Sequence, residues 1–449
     1  MIKIYIPRNN HIEKEYIVKY FSKQINFDEF ISFEFTNESD KYCLSYKDRK
    51  IFISDVFLHE KNYNLEKKTF LTPDFKEIED EYATLNPIFF FGNSQIEISE
   101  NEMVFHFDIF GSIFWLLTRH EEYFCKEKDA HGRFLSTFSI MPLEYYDRPL
   151  VDELTLYLIE KINAFFDLRL SLKDQKKIIL THDIDHPFIV KNQSFKTIIK
   201  SMLGDLLKRK SFSLFFLRGL AYFTKKMKYD PANIIKWLLS NNNSIQSESI
   251  FFYIAISRMG ELDTLCNIDD DMEKMQIKEI LDNGANVALH PSYLTSENDE
   301  YFIEEKEKLN SILNPFYKYN LINSRQHYLR FDIREHWNTF SKLGIQNEFS
   351  LGFADRYGFR AGTSRPFKPF DVLRQKTYDF SVHSLLIMDT TLFVYRKETF
   401  EFIVDLHKKY MDIVKVFKGE FIVLWHNTEL MTRKRKKLYN KIIKSIDNF

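Results

Sequence analysis

A chain of 449 residues is long enough for two or three domains and a sizeable core. Its formal net charge of −1, with 28% charged residues, leaves no global electrostatic case for nucleic-acid binding. Three cysteines (Cys43, Cys125 and Cys266) lie far apart with no CxxC pair, which points to a reduced, cytoplasmic setting. No run approaches the roughly 18 apolar residues of a membrane-spanning helix, and the N-terminus lacks the apolar core of a signal peptide. Glycine is scarce at 12, while 45 Phe and 24 Tyr predict aromatic-rich packing.

Residues 1–140 read as an α+β domain of unknown role. Met1 to Pro7 alternates like an edge strand. Strands are expected at Ile31–Phe35, Tyr42–Tyr46 and Lys50–Ser54, with turn residues at Asn37–Asp40, and further ones at Phe89–Gly92 and Met103–Phe107. Asp108 to Tyr123 reads as one helix, apolar and then charged. Its Arg119-His120-Glu121-Glu122 end lacks HExxH spacing and suits interdomain salt bridges better than a metal. A helical connection, 141–175, contains a helix at Val151–Phe166 with Leu154, Leu158, Ile159 and Ile162 at core spacing.

Ile178-Ile179-Leu180 opens the third part, 176–449, as a short apolar run typical of a strand buried on both faces. It runs into Thr181-His182-Asp183-Ile184-Asp185-His186-Pro187. Alternation puts Thr181, Asp183 and Asp185 on one side, and His182 and His186 on the other. Carboxylates and imidazoles at the C-terminal end of a buried parallel strand are where α/β folds place their chemistry. An insertion at 191–228 follows, carrying basic residues from Lys191 to Lys228 against the single acid Asp205, interleaved with Ile198, Leu206 and Leu214-Phe215-Phe216-Leu217. It fits a basic amphipathic element on an anionic membrane, and equally a helical excursion packed over the barrel mouth. A helix should start at Asp230-Pro231. Strands are then expected at Ser249–Ala255, Asn286–His290, Ser324–Leu329, Phe349–Phe353, Ser381–Met388 and Phe421–Trp425. Helices should lie between them at Met272–Leu281, Tyr301–Leu313, Ile333–Leu343 and Thr399–Val416. About seven strands alternating with helices predict an α/β barrel.

Polar clusters recur at the strand ends: His290-Pro291-Ser292-Tyr293, Arg325-Gln326-His327-Tyr328, Asp355-Arg356 and His426-Asn427. In a barrel these ends converge on one mouth. Two or three His or Asp ligands with an open position suit Zn²⁺ or a related divalent ion. A second carboxylate and a free His then supply base and acid.

From Lys177 to Asn427 the chain resembles the polysaccharide deacetylases of carbohydrate esterase family 4, which fold as a distorted, seven-stranded α/β barrel. Thr181-His182-Asp183-Ile184-Asp185 looks like their first motif, and Leu424-Trp425-His426 like their closing one. Arg325-Gln326-His327-Tyr328 and His290-Pro291-Ser292-Tyr293-Leu294 take intermediate places in the same order. HDID, LHPSY, RQHYLRF, GFRAGT and LWHN also resemble a bacterial subgroup encoded in surface-polysaccharide clusters, whose barrel follows an uncharacterised N-terminal domain. The resemblance implies Asp183 as base, oriented by Arg325, His426 as acid, and Asp185 and His290 as ligands of a divalent metal, Zn²⁺ first. Leu294 stands where the family has its second metal histidine, so His327 is the expected substitute and His186 the second choice. Tyr328, Tyr293 and Asp355 are implied on the substrate and oxyanion side.

The implied activity is removal of an N-acetyl or related acyl group from a sugar, which could be an N-acetylated sugar, a nucleotide sugar or a lipid-linked glycan. The setting would be cytoplasmic, with peripheral contact at the inner membrane through 191–228. Leu294 motivates a rival, a sugar-binding barrel without catalysis. An aspartyl-phosphate phosphatase using Asp183 and Asp185 is a second rival, but Pro187 stands where such enzymes want Thr or Val.

Overall fold

The computed structural model describes residues 1–26, 28–37, 40–67, 69–80, 84–260, 262–263, 268–314 and 321–447. Cys266 and the centre of the turn expected at Asn37–Asp40 lie outside them. The first sheet has six strands: β1 Ile2–Pro7, β2 Ile31–Thr36, β3 Lys41–Tyr46, β4 Arg49–Ser54, β5 Gly92–Ile98 and β6 Glu102–Phe107. Their order is β2-β1-β3-β4-β6-β5. The N-terminal strand was expected at an edge, yet β1 lies inside, parallel to β2 and antiparallel to β3. A helix that the sequence reading passed over explains this. α1, His11–Lys23, supplies the crossover a parallel pair needs and buries Tyr16, Ile17, Val18, Tyr20 and Phe21.

The single helix expected at Asp108–Tyr123 is two, α2 Ile109–Leu117 and α3 His120–Phe124. Asp108 caps α2 by accepting from the Gly111 N–H at 2.7 Å. The break falls at Arg119, whose backbone is left-handed (φ 51°). α4 spans Leu150–Phe166. The connection after Asp230 also differs, because the next helix starts at Ile235 rather than Pro231. The Asp230 carboxylate is occupied by the N–H groups of Val190 (2.8 Å) and Ala232 (2.9 Å), which hold the chain in a turn.

The second sheet comprises β7 Lys177–Ile184, β8 Glu248–Tyr253, β9 Asn286–Leu289, β10 Asn323–Ser324, β11 Asn347–Glu348, β12 Ser381–Val382, β13 Ile387–Met388 and β14 Glu420–Leu424. The order is β12-β11-β10-β9-β8-β7-β14-β13, with every neighbouring pair parallel. The two edge strands are halves of one segment, 381–388. Leu385 donates its N–H to Leu351 O on one side, and Leu386 donates to Ile422 O on the other. Seven chain segments thus curl the sheet into the expected distorted α/β barrel. Ile179, Ile250, Phe252, Ile422 and Leu424 fill its interior, while Ile178 and Leu180 belong to the outer core. Each such side chain contributes about 1.5–3 kcal/mol on burial.

β10 is shorter than the strand expected at Ser324–Leu329, and β11 ends at Glu348, just before the strand expected at Phe349–Phe353. Past Ser324 the Arg325 side chain turns inward, and past Glu348 the Ser350 N–H bonds the Glu348 carboxylate at 2.9 Å, so the chain leaves the ladder. Segment 191–228 forms a hairpin of α5 (Phe195–Leu207) and α6 (Phe212–Thr224).

Residues 355–365 are the seam between the barrel and the preceding chain. Asp355 accepts from Ser136 N (3.0 Å) and Oγ (2.7 Å), and Arg356 donates to Asp147 (2.8 Å). Arg360 donates to Glu122 (2.7 Å), Ser364 N to Asp152 (2.9 Å) and Arg365 to Gln24 (2.6 Å). The ion pairs expected at the Arg119–Glu122 helix end are part of this seam.

Candidate active site

Polar residues just beyond the parallel strands meet at one mouth. Thr181 and Asp183 point inward from β7, where both accept from Arg325 Nη1, at 2.8 and 2.9 Å. Arg325 itself is buried, follows β10 and also donates from Nε to Phe349 O. His182 points outward, packing on Phe251 and Tyr439, with burial lowering its pKa to about 4. The alternation along β7 therefore separates the inward carboxylate from a structural histidine.

Asp185, His290 and His327 each offer a donor atom within 4.8 Å of the other two. His290 follows β9 and gives its Nδ1–H to Arg325 O at 2.6 Å, which leaves a lone pair on Nε2. That nitrogen lies 3.3 Å from Asp185 Oδ1. Both atoms are buried without a hydrogen-bond partner, so two lone pairs face each other. A cation between them removes that repulsion, and an O,N,N donor set fits Zn²⁺. His327 Nε2 stands 3.7 Å from Asp185 Oδ1, and its Nδ1 meets Asp263 Oδ1 at 3.3 Å. A turn with left-handed backbone at Tyr328 (φ 61°) and Leu329 (φ 53°) aims His327 inward. Burial opposes charge on His327, but Asp185 and Asp263 outweigh it and push the ring up to about 9. Burial would likewise raise the Asp185 carboxyl, yet the neighbouring His327 and His426 hold it well below the carboxylate range.

His426, just past β14, completes the ring, with Nε2 3.7 Å from Asp185 Oδ2. Its Nδ1 meets Asp389 Oδ1 at 2.6 Å, and its N–H donates to Asp389 Oδ2 at 2.7 Å. Burial opposes protonation here too, but Asp389, Asp185 and Asp183 push the imidazole up to about 10.

Asp183, Asp185, His327 and His426 border a cavity of about 270 Å³, which His186 and Tyr328 also line. His186 lies outside the three-residue donor cluster. Tyr293 and Asp355 do not line the cavity. The Tyr293 hydroxyl meets His131 at 3.1 Å, and Asp355 is held in the seam by Ser136. Three residues that support the mouth had no place in the sequence reading: two line the cavity, and the third, Asp389, holds His426. Asp389 directly follows the apolar run Leu385–Met388, so the strand-end rule could have found it. Asp263 sits in a loop with no periodic signal. Arg133 reaches the cavity from before α4, donating to Tyr328 O (2.9 Å) and Tyr395 Oη (2.8 Å).

A family of unknown function, DUF7033, matches residues 2–167. No curated protein matches the chain. Among solved structures, a candidate polysaccharide deacetylase from Mycobacterium smegmatis is 12% identical, covering 62% of this chain and 87% of that one, with a TM-score of 0.39. A polysaccharide deacetylase from Bacillus cereus is 13% identical, over 61% of this chain and 87% of that one, at TM-score 0.29. The Xyl-CE4 domain of a multidomain xylanase from the hindgut metagenome of Trinervitermes trinervoides is 11% identical, over 61% and 84%, at TM-score 0.27. At such distances any functional reading rests on the geometry of the mouth itself.

Proposed function

We propose that this chain is a metal-dependent hydrolase that removes an N-acetyl or related acyl group from a sugar during surface polysaccharide biosynthesis, at the inner face of the membrane. The observation that carries the reading is the facing pair of unpartnered donors, Asp185 Oδ1 and His290 Nε2, with His327 alongside. Asp185, His290 and His327 are the residues that would hold a divalent cation, Zn²⁺ first for its preference for imidazole and carboxylate. When bound, such an ion supplies Lewis-acid polarisation and a more acidic water.

The chain's own groups divide the remaining work. Asp183 takes the proton of the attacking water, and Arg325 at 2.9 Å fixes the direction of its carboxylate. The N–H at the left-handed Tyr328 turn is the oxyanion donor in this reading. His426 gives a proton to the departing amine from Nε2, because Asp389 holds Nδ1–H and keeps the ring protonated. Tyr293 and Asp355, which do not line the cavity, take no part in the chemistry in this reading.

The test combines zinc stoichiometry with acetate release from an N-acetylated sugar. Wild-type protein should hold a single ion per chain, and Asp185→Ala, His290→Ala and His327→Ala should each lose it while staying folded. Unchanged stoichiometry in the His327 variant would remove it as a ligand. A wild-type chain that takes no zinc and releases no acetate would leave a sugar-binding barrel instead.

A further inference from the structure

Large apolar side chains are exposed in two stripes along the α5–α6 hairpin. On α5, Phe195, Ile199, Leu203 and Leu207 recur every fourth residue, with exposures from 37% to 75%. On α6, Phe212, Phe216, Leu220 and Phe223 recur every third or fourth, from 42% to 72%. The opposite faces are already used, since Ile198, Met202 and Ala221 form a small cluster with Val190, separate from the main core. A helix pair apolar on both sides needs a second apolar environment.

The charges around the stripes indicate which one. Arg218 and Arg209 are tied to buried Asp205, at 2.7 and 2.9 Å, and Lys191 to Glu273 and Asp270, both at 2.6 Å. Lys196, Lys200, Lys208, Lys210, Lys225 and Lys226 are exposed beside the apolar residues. At the hairpin's tip, Lys208, Arg209 and Lys210 face Arg433, Lys434 and Arg435 across a groove of about 930 Å³. This groove shares Thr428 and Glu429 with the catalytic cavity. Pairing two copies through this face would set lysine against lysine, and interface cores are depleted in Lys.

We propose that the α5–α6 hairpin docks the protein on an anionic lipid bilayer, its stripes entering the acyl boundary and its lysines lying among the lipid phosphates. Each lysine near such a surface strengthens binding about fivefold, and each buried apolar side chain about tenfold or more. Docking presents the basic groove to the headgroups, so the substrate is a glycan carried on a lipid phosphate. The phosphate enters the groove and the acylated sugar reaches Asp183 and His426. This substrate assignment rests on the hydrolase reading, whereas the docking does not.

Flotation of the full chain with vesicles of phosphatidylglycerol and phosphatidylcholine in equal parts, against phosphatidylcholine alone, tests the docking. Wild type should float with the anionic vesicles only. Binding should fall when salt rises from about 0.1 M to about 1 M, as the screening length shrinks from about 10 to about 3 Å. The triple variant Leu203→Ser, Leu207→Ser, Phe216→Ser should lose flotation at least about tenfold. It should keep acetate release from a soluble N-acetylated sugar and lose it from a vesicle-borne one. Equal absence of wild type from both lipid fractions would overturn the proposal, as would a triple variant that floats like wild type. A lipid-free dimer that the triple variant converts to monomer would assign the face to self-association instead. No acetate release from any substrate would sink the hydrolase reading and leave the flotation result standing.

Discussion

Two buried charge clusters in this molecule invite comparison, one at the seam and one at the mouth. In the seam, Arg119 donates to Glu121 and Glu122, Arg360 donates twice to Glu122 and once to Gly352 O, and none of these side chains keeps an unpartnered buried atom. At the mouth, Asp185 Oδ1 and His290 Nε2 face each other at 3.3 Å, both buried and neither with a hydrogen-bond partner. The first cluster is complete without any ligand, so it joins parts of the chain. The second is complete only with something the chain does not supply. Density of charge does not separate a site from a brace, but closure of its hydrogen bonds does.

If that distinction holds, changes at the mouth should cost function and changes at the seam should cost stability. The largest effect is expected from Asp183→Asn, which should retain zinc and lose about 10²–10⁴-fold in acetate release, the usual range for a general base. Retained activity would move the base elsewhere, with His426 the nearest candidate. Glu122→Ala comes next. It strands Arg119 and Arg360 and should lower stability by about 3–5 kcal/mol in urea unfolding, with zinc uptake of the folded fraction unaltered. An unmoved midpoint there would break the comparison from the seam side.

A subtler probe is Asp263→Asn, which loosens His327 without removing a donor. Chelator competition should show zinc held about 10–100-fold more weakly. The smallest effect is expected in the pH profile of Asp389→Asn. His426 is pushed up to about 10 against burial, chiefly by Asp389, so its proton is present below that pH and lost above it. Removing the Asp389 charge lowers this value, and the alkaline decline in rate should start at lower pH than in wild type. Superimposable profiles would show that His426 is not the acid.

Much of this is legible in the sequence itself. The run Ile178-Ile179-Leu180 implies a strand buried on both faces, and alternation alone separates inward Asp183 from outward His182. Asp389 obeys the same strand-end rule. These are local consequences of a side-chain period of two, which sequence carries directly. The fold settled what depends on contacts through space. It brings His327 rather than His186 into the donor cluster, through a left-handed turn that no residue type announces. It pairs His327 with Asp263 and carries Arg133 to a cavity built mostly from residues far beyond it in the chain. It also gives Asp355 to Ser136 and the Tyr293 hydroxyl to His131, so neither lines the cavity. A sequence shows that a polar group ends a strand. Whether that group meets substrate, metal or another part of the chain depends on partners 35 to 219 residues apart, and only the packed structure brings those together.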